Sequence, residues 1–282
     1  MKRFARTLLA TVMAVAALVP AFSAAASAQN PINTNMAPAY VALGDSVAAG
    51  LGLPNEGGTS GQDPVCGRST GAYAYQVAQA KNIDVEHLAC SGATVGDLFT
   101  KQTVNNTEIP PQLDQAFAQG TPQLITITAG ANDIHWADAF KKCYAATCGT
   151  RTDDAMQTYY RAVMELKLDA ALASIAWRSH GNPPKVVITG YYNPLSPACA
   201  VADPVHFTAD EMNWAKGQVD KLNQSLQRAS SLFSFASFAP VDFTGHDICS
   251  ADSWVQGQAD PAPFHPKAAG QAALAQAVLG KL

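Results

Sequence analysis

Short apolar runs alternate with longer stretches of helical periodicity along this chain. Residues 40–43, 84–89, 123–128, 185–189 and 235–243 read as strands, because apolar and β-branched side chains cluster there between turn-forming residues. The run 123–128, Gln-Leu-Ile-Thr-Ile-Thr, is the clearest, and Pro240 marks an edge position or a bend in the last. Residues 72–80 have helical character. Residues 110–118 open with two prolines and stop before Gly120, the order suited to a short helix. Over 153–179, Tyr160, Met164, Leu168, Leu172 and Ile175 recur at spacings of four and three and make one core-facing stripe. Thr208 and Glu211 spell a capping box ahead of a second stripe, Met212, Ala215, Val219, Leu222 and Leu226. A last helix is expected over 267–279, with Pro266 near its first turn. Strands alternating with helices predict an α/β fold, a parallel sheet covered on both faces. No repeat or interdomain linker breaks 40–282, so one domain is expected there.

The amino-terminal pattern is different. Lys2, Arg3 and Arg6 form a basic head, residues 8–19 are apolar except for Thr11, and Ala26-Ser27-Ala28 makes a small-residue cleavage site. Residues 1–28 therefore read as a signal peptide, and the polar residues 29–39 as a flexible leader. The apolar stretch is short for a membrane span, and no other segment approaches about 20 apolar residues. A secreted, soluble protein is expected. Its 254 residues suffice for one α/β domain with a sizeable core. The mature net charge of −7 (15 basic against 22 acidic residues) argues against nucleic acid or a stable membrane association.

All six cysteines lie in the mature part, and six allow 15 pairings. Export favours disulfides over zinc, and neither Cys-x-x-Cys nor His-x-x-x-His spacing occurs. A Cys66–Cys90 bridge would pin a long loop to the second strand. Cys143 and Cys148 lie five positions apart, which leaves Cys199 and Cys249 for each other. No metal and no cofactor is expected.

Three of the expected strands end in small-residue turns that carry a polar group: Ser46, Ser91-Gly92 and Asn132. Parallel strands gather these turns at one end of the sheet, where open α/β sheets bind their ligands. Acyl transfer needs a nucleophile, a base and donors for an oxyanion. Ser46 is the candidate nucleophile. Its own N–H, that of Gly92 and the Asn132 amide are the candidate donors. Gly92 suits close backbone approach because it has no Cβ. Taken singly, each turn has a plainer reading: Asp45 or Ser46 capping a helix, or an Asx-turn at Asn132. Asp133 is expected to hold structure by hydrogen bonds. Among His87, His135, His180, His206, His246 and His265, the last opens the final helix and can reach back over the strand ends. It is the candidate base.

Gly44-Asp45-Ser46, Gly92 in a Cys-Ser-Gly turn, Gly130-Ala131-Asn132-Asp133 and His265-Pro266 together resemble the four ordered blocks of the SGNH hydrolases, the GDSL esterase/lipase family. The likeness covers 40–280. It implies a three-layer α/β/α sandwich around a five-stranded parallel, flavodoxin-like sheet. It implies Ser46 as nucleophile, His265 as base, and Ser46, Gly92 and Asn132 around the oxyanion. The cysteines are similar to those of secreted actinobacterial lipase and phospholipase A1-like members, which suggests the pairings above. Val47 stands where Leu is common in the family. Many members also carry Asp three residues before the histidine, where this chain has Ala262. The Ala262 backbone carbonyl is the expected orienter of His265, with Asp260 as the competitor. The reading is a monomeric, secreted serine esterase or lipase acting on a lipid or simple acyl ester. A polysaccharide O-acetyl esterase, or a binding domain that kept the fold without activity, are the alternatives.

Overall fold

The computed structural model describes residues 37–54, 63–196, 199 and 208–282. The expected signal peptide, most of the leader and His206 lie outside the described residues. Five parallel strands, β1 (Tyr40–Gly44), β2 (Val85–His87), β5 (Leu124–Thr128), β6 (Lys185–Thr189) and β7 (Ala236–Ala239), form a sheet of order β2-β1-β5-β6-β7. Counted along the sheet strands alone this is the flavodoxin-like order 2-1-3-4-5, whose switch point lies between β1 and β5. A two-stranded antiparallel hairpin, β3 (Gln102–Val104) and β4 (Thr107–Ile109), stands apart. The helices are α1 (Ser46–Ala49), α2 (Asp63–Cys66), α3 (Tyr73–Lys81), α4 (Gln112–Ala116), α5 (Trp136–Ala145), α6 (Arg151–Arg178), α7 (Ala209–Ser231) and α8 (Ala268–Leu279), with a 3₁₀ turn at Val95–Leu98. No described helix is long and apolar enough to cross a membrane.

The layers follow from the stripes. Met164, Leu168, Leu172 and Ile175 of α6 are fully buried, and α7 packs beside α6 with Met212, Val219, Leu222 and Leu226 turned inward. On the other face α3 packs against α8. β1 and β5 are buried on both faces, so hydroxyls enter the core, and each finds a partner. Tyr40 on β1 bonds Thr126 at 2.9 Å, Tyr73 of α3 bonds Thr126 and Thr128 at 3.2 and 2.9 Å, and Thr128 bonds Thr189 on β6 at 2.7 Å. This hydroxyl chain fastens three strands and a helix at fixed register.

Capping boxes close the starts of α6 (Thr150, Asp153) and α7 (Thr208, Glu211). The strand expected over 235–243 is shorter, because Pro240 has no N–H to offer a neighbour. Helix α4 is likewise shorter than 110–118, since Pro111 acts as its cap. The hairpin turns on Asn105 and Asn106, which adopt φ of 49° and 64°, the left-handed pair a two-residue hairpin requires. Three disulfides join Cys66–Cys90, Cys143–Cys148 and Cys199–Cys249, and the described chain has no free cysteine. The first ties the turn after β2 to α2, and the second closes the end of α5.

Candidate active site

The turn after β1 is held from three sides. Gln112 clamps Gly44, accepting its N–H at 2.8 Å and donating to its carbonyl at 2.9 Å. Asp45 donates its N–H to the Thr128 carbonyl at 2.8 Å, which joins the ends of β1 and β5. The Asp45 side chain accepts the Val47 N–H at 2.9 Å and so caps α1, while Gln271 of α8 donates to the Val47 carbonyl at 2.9 Å. Ser46 is thereby presented, half-buried, as the first residue of α1 at the switch point.

His265 comes to it from the far end of the chain. Val255 and Pro266 form a β-bridge, Gln256 donates its N–H to the His265 carbonyl at 2.8 Å, and Phe264 donates back to Gln256 at 2.9 Å. Phe264 adopts φ of 69°, and the Tyr192 hydroxyl donates to its carbonyl at 2.6 Å. His265 Nε2 then lies 2.7 Å from Ser46 Oγ, across 219 positions of sequence. Its Nδ1 faces the Pro263 carbonyl at 3.0 Å. With Nδ1–H donating there, Nε2 holds the lone pair toward the hydroxyl.

The group closest to Nδ1 is thus a backbone carbonyl, that of Pro263, one residue from the Ala262 carbonyl named as the expected orienter. The Ala262 carbonyl accepts the His265 main-chain N–H at 3.2 Å, and the tight turn leaves the Pro263 carbonyl as the close partner of Nδ1. Asp260 is occupied elsewhere, its carboxylate accepting the Gly257 N–H at 2.7 Å. Asp260→Ala should accordingly keep kcat/KM for a p-nitrophenyl ester within about threefold. A loss on the order of a thousandfold would make that carboxylate a triad member.

Burial lowers the His265 pKa from its ordinary 6.5, opposed by the Pro263 and Ala262 carbonyls, so the ring is neutral at pH 7. Burial pushes the fully enclosed Asp45 the other way, up to about 7, against hydrogen bonds from Tyr191, Val47 and Ala48.

Asn132 follows β5 in a turn that folds on itself through Ile134 N–H to Gly130 and His135 N–H to Asn132. Its side-chain amide donates to the Ala93 carbonyl at 2.8 Å, which ties this turn to the one containing Gly92. One amide hydrogen is used there, and an NH₂ group carries two. Gly92 is exposed, adopts φ of 79°, and stands outside the cavity wall; a Cβ would meet only Gln102 Nε2 at 3.6 Å. The backbone angle, rather than crowding, is what calls for glycine. Asp133 accepts the Val95 N–H at 2.8 Å and pairs with Lys167 at 3.3 Å, a structural role.

Ser46, Asn132 and His265 share one cavity of about 400 Å³. Its walls are mainly apolar: Ile134, Trp136 and Phe140 from the β5 turn and α5, Val219 and Leu222 from α7, and Phe264 beside the histidine. Phe140 and Phe264 rings meet at 4.1 Å. Of the other described histidines, His180 is exposed just past the end of α6, and three are engaged away from the cavity. His87 Nε2 lies 3.0 Å from the Ala48 carbonyl, His135 packs on Tyr160, and His246 stacks on Trp254. Among the described residues the one grouping with metal-ligand spacing is Cys199, Asp247 and Cys249, and its two sulfurs are joined to each other. Gln112, Tyr191 and Asn223, which hold the site together, carry no motif that the sequence analysis could have singled out. Their one signal is that Tyr191 stands two residues past the end of β6, at the same end of the sheet.

The model of the GDSL-like lipase/acylhydrolase family matches residues 42–273. Lipase 1 of Streptomyces coelicolor is 31% identical over 247 residues, covering 82% of each chain. Two solved structures superpose at 25% identity: an extracellular lipase of Streptomyces rimosus, with a TM-score of 0.67 over 86% of this chain and 98% of that one, and a phospholipase A1 of Streptomyces albidoflavus, with 0.64 over 87% and 100%.

Proposed function

Because this chain belongs to the GDSL-like lipase/acylhydrolase family and is a carboxylic ester hydrolase, we propose that Ser46 is its nucleophile and His265 its general base. The observation that carries this is the 2.7 Å approach of Ser46 Oγ to His265 Nε2 at an apolar cavity. Oγ attacks the ester carbonyl carbon as Nε2 takes its proton. The carbonyl π electrons move onto oxygen, and the Ser46 N–H, the Gly92 N–H and the second Asn132 amide hydrogen stabilise that charge. Collapse breaks the bond to the alcohol oxygen, which takes the proton from the imidazolium. Water, activated by the same ring, then hydrolyses the acyl-enzyme.

The substrate is the ester of an apolar acyl chain. A wall of Ile134, Trp136, Phe140, Leu222 and Phe264 beside the serine supports this reading, since such surface gains from burying methylenes and offers a sugar ring few partners. The likeness to the S. rimosus lipase and the S. albidoflavus phospholipase A1 points to the same class. Export in monomeric form, with residues 1–28 removed and 29–39 left as a leader, completes the proposal. Export is supported by the basic-apolar-small pattern of residues 1–28 and by three disulfides.

The test is hydrolysis of p-nitrophenyl esters from acetate to palmitate, beside a phospholipid and an acetylated xylan. Rates per enzyme should rise from acetate into longer chains, with label from a fluorophosphonate recovered on Ser46. Preference for the acetylated glycan would move the assignment to a deacetylase, and no label on Ser46 would refute the mechanism.

The acid limb has a defined place. Activity needs neutral His265, whose pKa is lowered, so kcat/KM should fall on acidification with a midpoint below 6.5. A midpoint above 7 would show that a different group, Asp45 first among them, governs the profile.

A further inference from the structure

Tyr191 has no part in the steps above, yet it links the two turns that those steps need. It is 6 % exposed at the end of β6. Its hydroxyl donates to Asp45 Oδ2 at 2.5 Å and accepts the Ala131 N–H at 3.3 Å. Asp45 immediately precedes Ser46, and Ala131 immediately precedes Asn132. The tyrosine is itself fixed: Asn223 on α7 accepts its main-chain N–H at 2.8 Å and donates to its carbonyl at 2.7 Å.

The nucleophile and the side-chain oxyanion donor stand on different strands. Pairing of β1 with β5 ends at Gly44 and Thr128, and the Asp45 N–H to Thr128 carbonyl bond is the next step outward. The Tyr191 hydroxyl extends that connection to the functional residues. Oxyanion donors act only within about 2.7–3.1 Å of the charge, and a 1 Å misplacement costs on the order of a hundredfold in rate. Capping α1 alone would be served as well by Asn, Ser or Thr. A buried carboxylate that accepts both from a helix N–H and from a phenol is a costlier device, and it makes sense as a two-way tie.

We propose that Tyr191 is a positioning residue for ester hydrolysis, its hydroxyl holding the Ser46 turn and the Asn132 turn in register across the β1–β5 switch point. The inference rests on the roles given above to Ser46, His265 and Asn132.

Tyr191→Phe keeps the ring and removes only the link. Its kcat for p-nitrophenyl butyrate should fall about 10- to 100-fold with KM within about twofold. In an Asn132→Ala background the same change should lower kcat by less than about threefold, because the donor it aligned is gone. A merely structural tyrosine would give losses that multiply in the double variant. Multiplying losses, or a single variant within twofold of the parent, overturn the proposal. Should Tyr191→Phe fail to fold, judged by its thermal transition, Asn223→Ala loosens the tyrosine from its other end and carries the same two expectations. The parent protein separates the two readings. If it neither turns over ester nor takes a phosphonate on Ser46, the assignment of the site fails. If it does both while the variant losses multiply, only the role of Tyr191 fails.

Discussion

Ser46→Ala and His265→Ala should each lower kcat for a p-nitrophenyl ester by a factor on the order of 10⁴ to 10⁶, and the double variant should be no slower than either alone. The reason is that Oγ and Nε2 are one device. At 2.7 Å the ring can take the proton only if the hydroxyl is there to give it, and the hydroxyl is a weak nucleophile at pH 7 without the ring. Residual turnover should remain above the uncatalysed rate, the outcome required by the oxyanion roles proposed for Gly92 and Asn132. Neither substitution touches the core: Ser46 is half-buried, and His265 sits on a loop held by Gln256 and Tyr192. Thermal transitions within a few degrees of the parent are therefore expected alongside the kinetic loss. A His265→Ala variant keeping a tenth or more of parental kcat would show that a different base serves Ser46.

The blocks that contain that pair were legible through their resemblance to a family, whereas the fold was legible from its own patterns. Strands β1, β5 and β6 were legible because both their faces are buried, so their apolar runs carry no competing signal. Helices α6 and α7 were legible because a buried stripe and a capping box say the same thing twice. What escaped were elements without a stripe. Helix α5 has few core positions and is braced by a local disulfide, and the β3–β4 hairpin turns on an Asn-Asn pair rather than the stronger Asn-Gly signal. The same holds at the site. Ser46, Asn132 and His265 stand in recognisable blocks, whereas Gln112, Tyr191 and Asn223 act through paired long-range hydrogen bonds that leave no local pattern. That Nδ1 lies closest to the Pro263 carbonyl, next to that of Ala262, escaped for a related reason. Which carbonyl meets Nδ1 depends on the turn geometry around Phe264 at φ 69°, and residue order does not encode that.

Gly44→Ala should be the most damaging change away from the reacting groups, costing on the order of 4 kcal/mol or more and leaving little soluble protein. A Cβ at this position would lie 2.1 Å from the Thr128 carbonyl oxygen and 2.8 Å from its carbon, on the adjacent strand of a fully buried pair. The neighbour cannot yield cheaply. Thr128 carbonyl accepts the Asp45 N–H, and the Thr128 hydroxyl is bonded to Tyr73 and Thr189. Residue 44 also adopts φ of 136°, outside the range that a side chain tolerates. Rotating it back would break the two bonds with Gln112 and swing Ser46 away from His265. The glycine of the Gly-Asp-Ser block is thus a requirement of strand packing, placed where a serine can be offered at the carboxyl end of the sheet without disturbing the ladder beneath it. Urea denaturation and specific activity of the soluble fraction decide the matter together. A variant that melts within a few degrees of the parent and keeps its kcat would mean that β1 and β5 can part without moving the serine, and the account of the site as a rigid junction of two strands would fall.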